Sequence, residues 1–151
     1  VIRPASSPAL RALLLAAALS AGGGGCARPI DHPQIRAVLD AQVEAWNAGD
    51  LEGFMQGYWK SDELAFSSPA STTRGWQATL DGYRKRYPTR EAMGRLRFED
   101  LAIARTGPKA AEVSGRFILE TAAGRKSGRF FLHMRELDGT WVIVRDHTTP
   151  E

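Results

Sequence analysis

One cysteine, Cys26, is all that the 151 residues contain, so the chain forms no internal disulfide. Basic runs are short: the longest is Arg84-Lys85-Arg86. A phosphate-backbone footprint needs a stripe of such contacts, so nucleic acid is not an expected partner. An excess of one charge is missing too. Of the 20 Lys and Arg, Arg3 and Arg11 precede Cys26, and the remaining 18 face 17 Asp and Glu. There is no Gly-rich phosphate loop, no nucleophile elbow and no internal repeat, and no cofactor is expected. The one long apolar stretch, residues 9–19, is too short to span a bilayer as a permanent helix.

That stretch has Arg3 before it and Arg11 within it, and Gly22 to Gly25 and Cys26 after it. A positive n-region, a short apolar h-region and small residues before a cut site read as an export signal. Cys26 stands where a bacterial lipoprotein signal places its lipidated cysteine. Gly24 and Gly25 suit the small positions of that motif, while Gly23 replaces the usual Leu. Residues 1–26 are therefore expected to be an export signal of lipoprotein type, with plain secretion as the alternative. Residues 27–32 read as a tether and residues 33–151 as a single domain, large enough for one full core. The implied location is the bacterial cell envelope, periplasmic or extracytoplasmic, with the membrane reached only through a lipid anchor.

The end of the chain carries the strongest structural signal. Asp138-Gly139 between the apolar-rich segments 130–136 and 141–147 marks a two-residue hairpin turn, which needs positive φ. Uninterrupted pairing from that turn sets Glu136 opposite Trp141, Met134 opposite Ile143 and Phe130 opposite His147. Side chains alternate between faces. One face then carries Phe130, Leu132, Met134, Trp141 and Ile143 together with Arg145 and His147. The other carries Phe131, His133, Arg135, Val142, Val144 and Asp146. A second turn at Ala123-Gly124 sets Phe117 opposite Phe130 and Val113 opposite Met134, extending the same apolar face. In the segment 96–105 the apolar positions change parity between Phe98 and Leu101, which predicts a β-bulge at Glu99-Asp100. The second half is thus a curved, four-stranded antiparallel meander.

The first half reads as helical. Ile35, Val38, Leu39, Gln42 and Trp46 recur at helical spacing after Pro33, with polar Gln42 the odd member of the stripe. Asn47-Ala48-Gly49-Asp50 ends that helix and caps a short second one bearing Leu51, Phe54, Met55 and Tyr58. Leu64 to Ser67 suggests a brief strand, and residues 68–74 a polar loop. A third helix over residues 75–87 presents Trp76, Leu80, Tyr83 and Tyr87 and stops at Pro88. Three helices followed by a curved antiparallel sheet make an α+β fold.

Trp46-Asn47-Ala48-Gly49-Asp50, Gly57-Tyr58-Trp59, Gly75-Trp76, Tyr83, Tyr87-Pro88, Met93-Gly94 and the closing Asp138-Gly139-Thr140-Trp141 through Thr148 resemble the DUF4440, SnoaL-like branch of the nuclear-transport-factor-2-like (NTF2-like) superfamily. The resemblance spans residues 33–149. It implies a cone, a strongly bent sheet wrapping the helices around a pocket, often in a homodimer. It does not imply one reaction, since the superfamily includes isomerases, dehydratases, cyclases and non-catalytic binders. Ketosteroid isomerase in that superfamily uses a carboxylate base with a tyrosine and a protonated aspartic acid. The tyrosine slot falls on Gln42, the base slot near Ser68 and the protonated-acid slot near Leu132, so steroid isomerisation is not expected.

The pocket-lining residues implied by this reading are Gln42, Trp46, Tyr58, Trp76, Tyr83, Phe130, Trp141 and His147. The tryptophans serve equally as core. His147 has two readings: a strand-end histidine bonded to backbone, or a ligand donor or general acid/base, since histidine changes charge near neutral pH. No metal is expected, because His32 lies in the tether and His133 on the face opposite His147. Asp146 is diagonal to His133, where an outer-face ion pair would be structural. The expected function is a non-catalytic pocket for a small, largely apolar molecule. The alternative is a cofactor-free lyase or isomerase using His147.

Overall fold

The computed structural model describes residues 32–151. The expected export signal, Cys26 and most of the expected tether lie outside the described residues. The first helix, α1 (Pro33–Ala48), starts with proline at its first turn and buries Ile35, Leu39, Gln42 and Trp46. It stops at Gly49, whose φ of 83° is left-handed and suits glycine. Asp50 then caps α2 (Leu51–Met55), its Oδ1 accepting the Gly53 amide at 2.8 Å. Asn47 has a different task. Its side chain donates to the Leu96 carbonyl at 2.9 Å and accepts the Leu96 amide at 2.8 Å, tying the end of α1 to the sheet.

The remaining elements are β1 (Ala65–Ser67), β2 (Thr72–Arg74), α3 (Trp76–Arg86), α4 (Arg90–Met93), β3 (Arg95–Gly107), β4 (Ala110–Thr121), β5 (Gly124–Leu137) and β6 (Thr140–Pro150). They form one six-stranded sheet in the order β2-β1-β6-β5-β4-β3. The meander is β3 to β6, as the sequence predicts. Two short strands extend it: β1 runs parallel to β6, and β2 occupies part of the stretch read as a polar loop. A single-turn helix, α4, joins the three expected ones. The class is α+β, with the helices against the concave side of a curved sheet.

Register separates what the alternation predicts from what the fold adopts. The bulge in β3 is present: pairing with β4 shifts between Glu99 and Ala102, and Asp100 has a φ of 54°. The turn between β4 and β5 is Ala122-Ala123 rather than Ala123-Gly124, so Phe117 faces Gly128 and Val113 faces Leu132. The correction is two residues, an even number, and the apolar face is unchanged.

The last hairpin differs more. Pairing follows the expected register from Leu137–Thr140 to Met134–Ile143, then slips, with His133 opposite Arg145. Val144 is the extra residue of a second bulge. Beyond it every side chain changes face: Phe131, not Phe130, lies opposite His147, and Asp146 lies opposite Leu132. The bulge sits where the chain after α2 docks. The Trp59 amide donates to the Ile143 carbonyl and the Ile143 amide to the Gly57 carbonyl, both at 2.9 Å. Phe130, Leu132, Trp141 and Ile143 are buried in the core, with Phe117 half-buried beside them.

Candidate functional site

Between α1, α2, α3 and the concave face lies a cavity of about 110 Å³. Its walls are aromatic. Trp46 meets Phe54 edge-on at 5.1 Å and Tyr87 at 4.9 Å between ring centroids, while Phe54 meets Tyr83 at 5.4 Å. Phe66, Phe98, Phe117 and Phe130 line it from the sheet side, together with Leu96, Leu119, Leu132 and Ile143. The Trp46 ring is held by its Nε1–H, which donates to the Met93 carbonyl at 3.0 Å.

Polar groups enter this box at few places. Asp146 is buried on the inner face, and its carboxylate accepts two hydrogen bonds: Tyr58 Oη–H donates to Oδ2 at 2.7 Å and Thr148 Oγ1–H to Oδ1 at 2.8 Å. Burial raises the Asp146 carboxyl from 3.8 to about 6, and the two hydroxyl donors pull against that rise. The same burial, reinforced by the carboxylate, pushes the Tyr58 and Tyr83 phenols well above their ordinary value. Both tyrosines therefore stay neutral hydrogen-bond donors. Gln42 is buried in the wall, with its Nε2 donating to the Phe54 carbonyl at 3.1 Å. That packing requires glycine at 57, where a Cβ would stand 2.7 Å from the Gln42 amide carbon. Arg86, exposed, marks the rim.

Of the residues expected to line the pocket, Gln42, Trp46, Tyr58, Tyr83 and Phe130 line this cavity. Trp76, Trp141 and His147 do not. Trp76 is core between helices, its Nε1–H donating to the Met55 carbonyl at 2.8 Å. Trp141 is buried nearer the hairpin turn, with the Arg105 guanidinium 5.1 Å from its ring. His147 is exposed on the convex face, its Nδ1 3.1 Å from Ser67 Oγ and its Nε2 3.5 Å from Thr149 Oγ1. The assignment of His147 and Arg145 to the inner face and of Asp146 to the outer one is thus reversed by the Val144 bulge. His133 lies beside Glu112, with Nδ1 to Oε1 at 3.6 Å, rather than beside Asp146. Among the described residues no three His, Cys, Asp or Glu side chains converge.

A buried carboxyl whose pKa lies near neutrality, in an aromatic cavity and bonded to a tyrosine, has the properties of a general acid/base. Asp146 is the residue that alternation misplaces. One signal in the sequence pointed to it: uninterrupted pairing drives Arg145 into an apolar face, a conflict that one extra residue removes.

The family model of the SnoaL-like domain matches residues 35–149. The chain belongs to the SnoaL-like family. It is similar to an NTF2-like protein of unknown function from Shewanella oneidensis MR-1, with 38% identity over 77% of this chain and 96% of that one and a TM-score of 0.74. More distant likenesses concern the fold alone. A ketosteroid isomerase-like protein from Erwinia carotovora atroseptica SCRI1043 is 17% identical, with 78% of this chain and 93% of that one covered and a TM-score of 0.63. A putative calcium/calmodulin dependent protein kinase II association domain from Xanthomonas campestris is 12% identical, covering 78% and 85%, with a TM-score of 0.62. No curated protein matches the sequence.

Proposed function

We propose that the cone binds a small, largely apolar molecule and that Asp146 exchanges a proton with it, as a cofactor-free isomerase or lyase does. One observation carries this reading: the buried Asp146 carboxyl, bonded to Tyr58 inside a largely apolar cavity. Apolar walls supply affinity and a few polar groups supply orientation. The space of about 110 Å³ is of the order of the roughly 150 Å³ engineered cavity that accepts benzene, so it suits one ring or a short branched chain. A carboxyl poised near pH 6 takes a proton from an acidic C–H as carboxylate and returns it as carboxylic acid to another atom of the same skeleton. Tyr83, held neutral, is available to donate to an oxygen on which charge develops, while the single Tyr58 hydroxyl proton is engaged with Asp146.

The test uses cyclohexanone as a probe in deuterated buffer. Quenching of Trp fluorescence reports occupancy, and NMR reports exchange of the ring's α-protons for deuterium. Saturable binding with exchange that disappears in Asp146→Asn supports the reading. Binding with no exchange above the Asp146→Asn level overturns the catalytic part and leaves a binding module. Absence of binding overturns both. We further propose that Cys26 carries a lipid that anchors the domain at the cell envelope, on the strength of its place after the apolar stretch and four glycines.

A further inference from the structure

The bulge that turns Asp146 inward also turns Arg145 and His147 outward, onto a convex face that the cone does not use. Neighbouring strands align side chains in lateral rows there. Arg74 on β2 pairs with Ala65 on β1, which pairs with Arg145 on β6, which pairs with His133 on β5. The next outward row is Thr72, Ser67 and His147. A groove of about 240 Å³ lies over these residues. Strands are spaced about 4.8 Å apart, so the two arginines start roughly 9.6 Å from each other with only an alanine methyl between them.

The electrostatics of this groove are unbalanced. Among the described residues neither Arg74 nor Arg145 has an ion-pair or hydrogen-bond partner for its guanidinium, which is true also of Arg95 and Arg135, whereas Arg84, Arg97, Arg116, Arg125 and Arg129 all meet a carboxylate. Of the nearby acids, Glu112 is engaged with His133, and Glu63 lines the adjoining groove beside Arg145 without pairing with it. Ser67 Oγ–H donates to the Asp146 carbonyl at 3.0 Å and pins the His147 ring at 3.1 Å, while Thr72 Oγ1 has no partner among the described residues. Both arginines line the one groove, two strands apart with a small residue between them, so an anion in it meets guanidinium donors from two neighbouring positions. A carboxylate pairs bidentately with one fork and has only the outer lone pairs of the same two oxygens left for the second. A tetrahedral oxyanion satisfies both and leaves an oxygen for the Thr72 hydroxyl.

We propose that the Arg74–Ala65–Arg145 row is a binding site for a phosphate group, separate from the aromatic cone on the other side of the sheet. The occupant is either free inorganic phosphate or the phosphoryl end of a small phosphomonoester, which offer the same oxygens to the two forks. It does not depend on the proton-transfer reading of Asp146.

Calorimetric titration of the domain with inorganic phosphate, against acetate and chloride at matched ionic strength, tests this. The expected result is saturable one-site binding of phosphate alone, weakened at least tenfold by Arg74→Ala and by Arg145→Ala. Ala65→Glu, which puts a carboxylate between the forks and leaves both arginines in place, should abolish it. Arg135→Ala, an exposed arginine on the same face but outside the groove, should leave it unchanged. Glucose 6-phosphate separates the sources: tighter binding than inorganic phosphate identifies an ester site, weaker binding a free-phosphate site. Equal responses to phosphate and acetate overturn the proposal, as does unchanged phosphate binding in the two arginine variants. Sedimentation that shows this face burying a second copy, with no phosphate bound, overturns it as well.

Discussion

The Tyr58 hydroxyl donates to Oδ2 of Asp146 at 2.7 Å, joining residues 88 positions apart in the chain. Tyr58 reaches the site because the segment after α2 bridges to Ile143. Asp146 reaches it because the strand bulges immediately after that bridge. One docking event thus places both partners, and their pairing has consequences that can be measured.

Asp146→Asn should stabilise the protein at pH 7 while removing its chemistry. The raised folded pKa means that the native state holds a desolvated charge above about pH 6, whereas below 3.8 folded and unfolded chains are both protonated. The penalty is therefore full at neutral pH and fades as pH falls from about 6 toward 3.8, amounting to about 3 kcal/mol. Urea unfolding at pH 7 and pH 4, compared between wild type and variant, isolates this group from the surface carboxylates. The variant should gain at pH 7 and match wild type at pH 4. Equal effects at both pH values would mean that burial does not raise the Asp146 pKa.

Tyr58→Phe removes a donor that favours the charged carboxylate. Asp146 should then titrate above about 6, followed through its carboxyl stretch by infrared difference spectroscopy. Stability at pH 7 should fall by about 1.5–3 kcal/mol, the range for a hydrogen bond to a charged group. An unchanged titration would show that the bond contributes nothing in solution.

Asn47→Ala tests the clamp between α1 and β3. Both hydrogen bonds to Leu96 are lost and neither backbone group has a replacement, so about 2 kcal/mol of stability should go. Asn47→Asp keeps the acceptor and should recover part of it. A loss below about 0.5 kcal/mol would mean that water takes over the clamp.

If Cys26 is lipidated, mass spectrometry of the protein from its native membranes should find a modified Cys26 as the first residue. Cys26→Ser should release the protein into the soluble fraction. An unmodified N-terminus elsewhere, with all material soluble, would show plain secretion instead.

The sequence by itself determined most of the elements, β2 and α4 excepted, and most of the faces. Periodicity marks the buried stripe of α1, Asp138-Gly139 marks the last turn, and the parity change between Phe98 and Leu101 marks the bulge in β3. Those signals are local: a turn needs positive φ within two residues, and a parity change shows wherever apolar and polar positions alternate. In β6 the run Val142, Ile143 and Val144 is apolar throughout, so Arg145 on an apolar face signals a conflict but nothing local marks which residue is extra. The tertiary structure alone decided that Val144 is the bulge. The cause is the parallel pairing of β6 with the chain from Tyr58 to Ser67, a contact between segments far apart in the chain. One residue of slip exchanges the two faces of everything beyond it. That slip turns Asp146 into the aromatic cavity and sends Arg145 and His147 to the opposite surface.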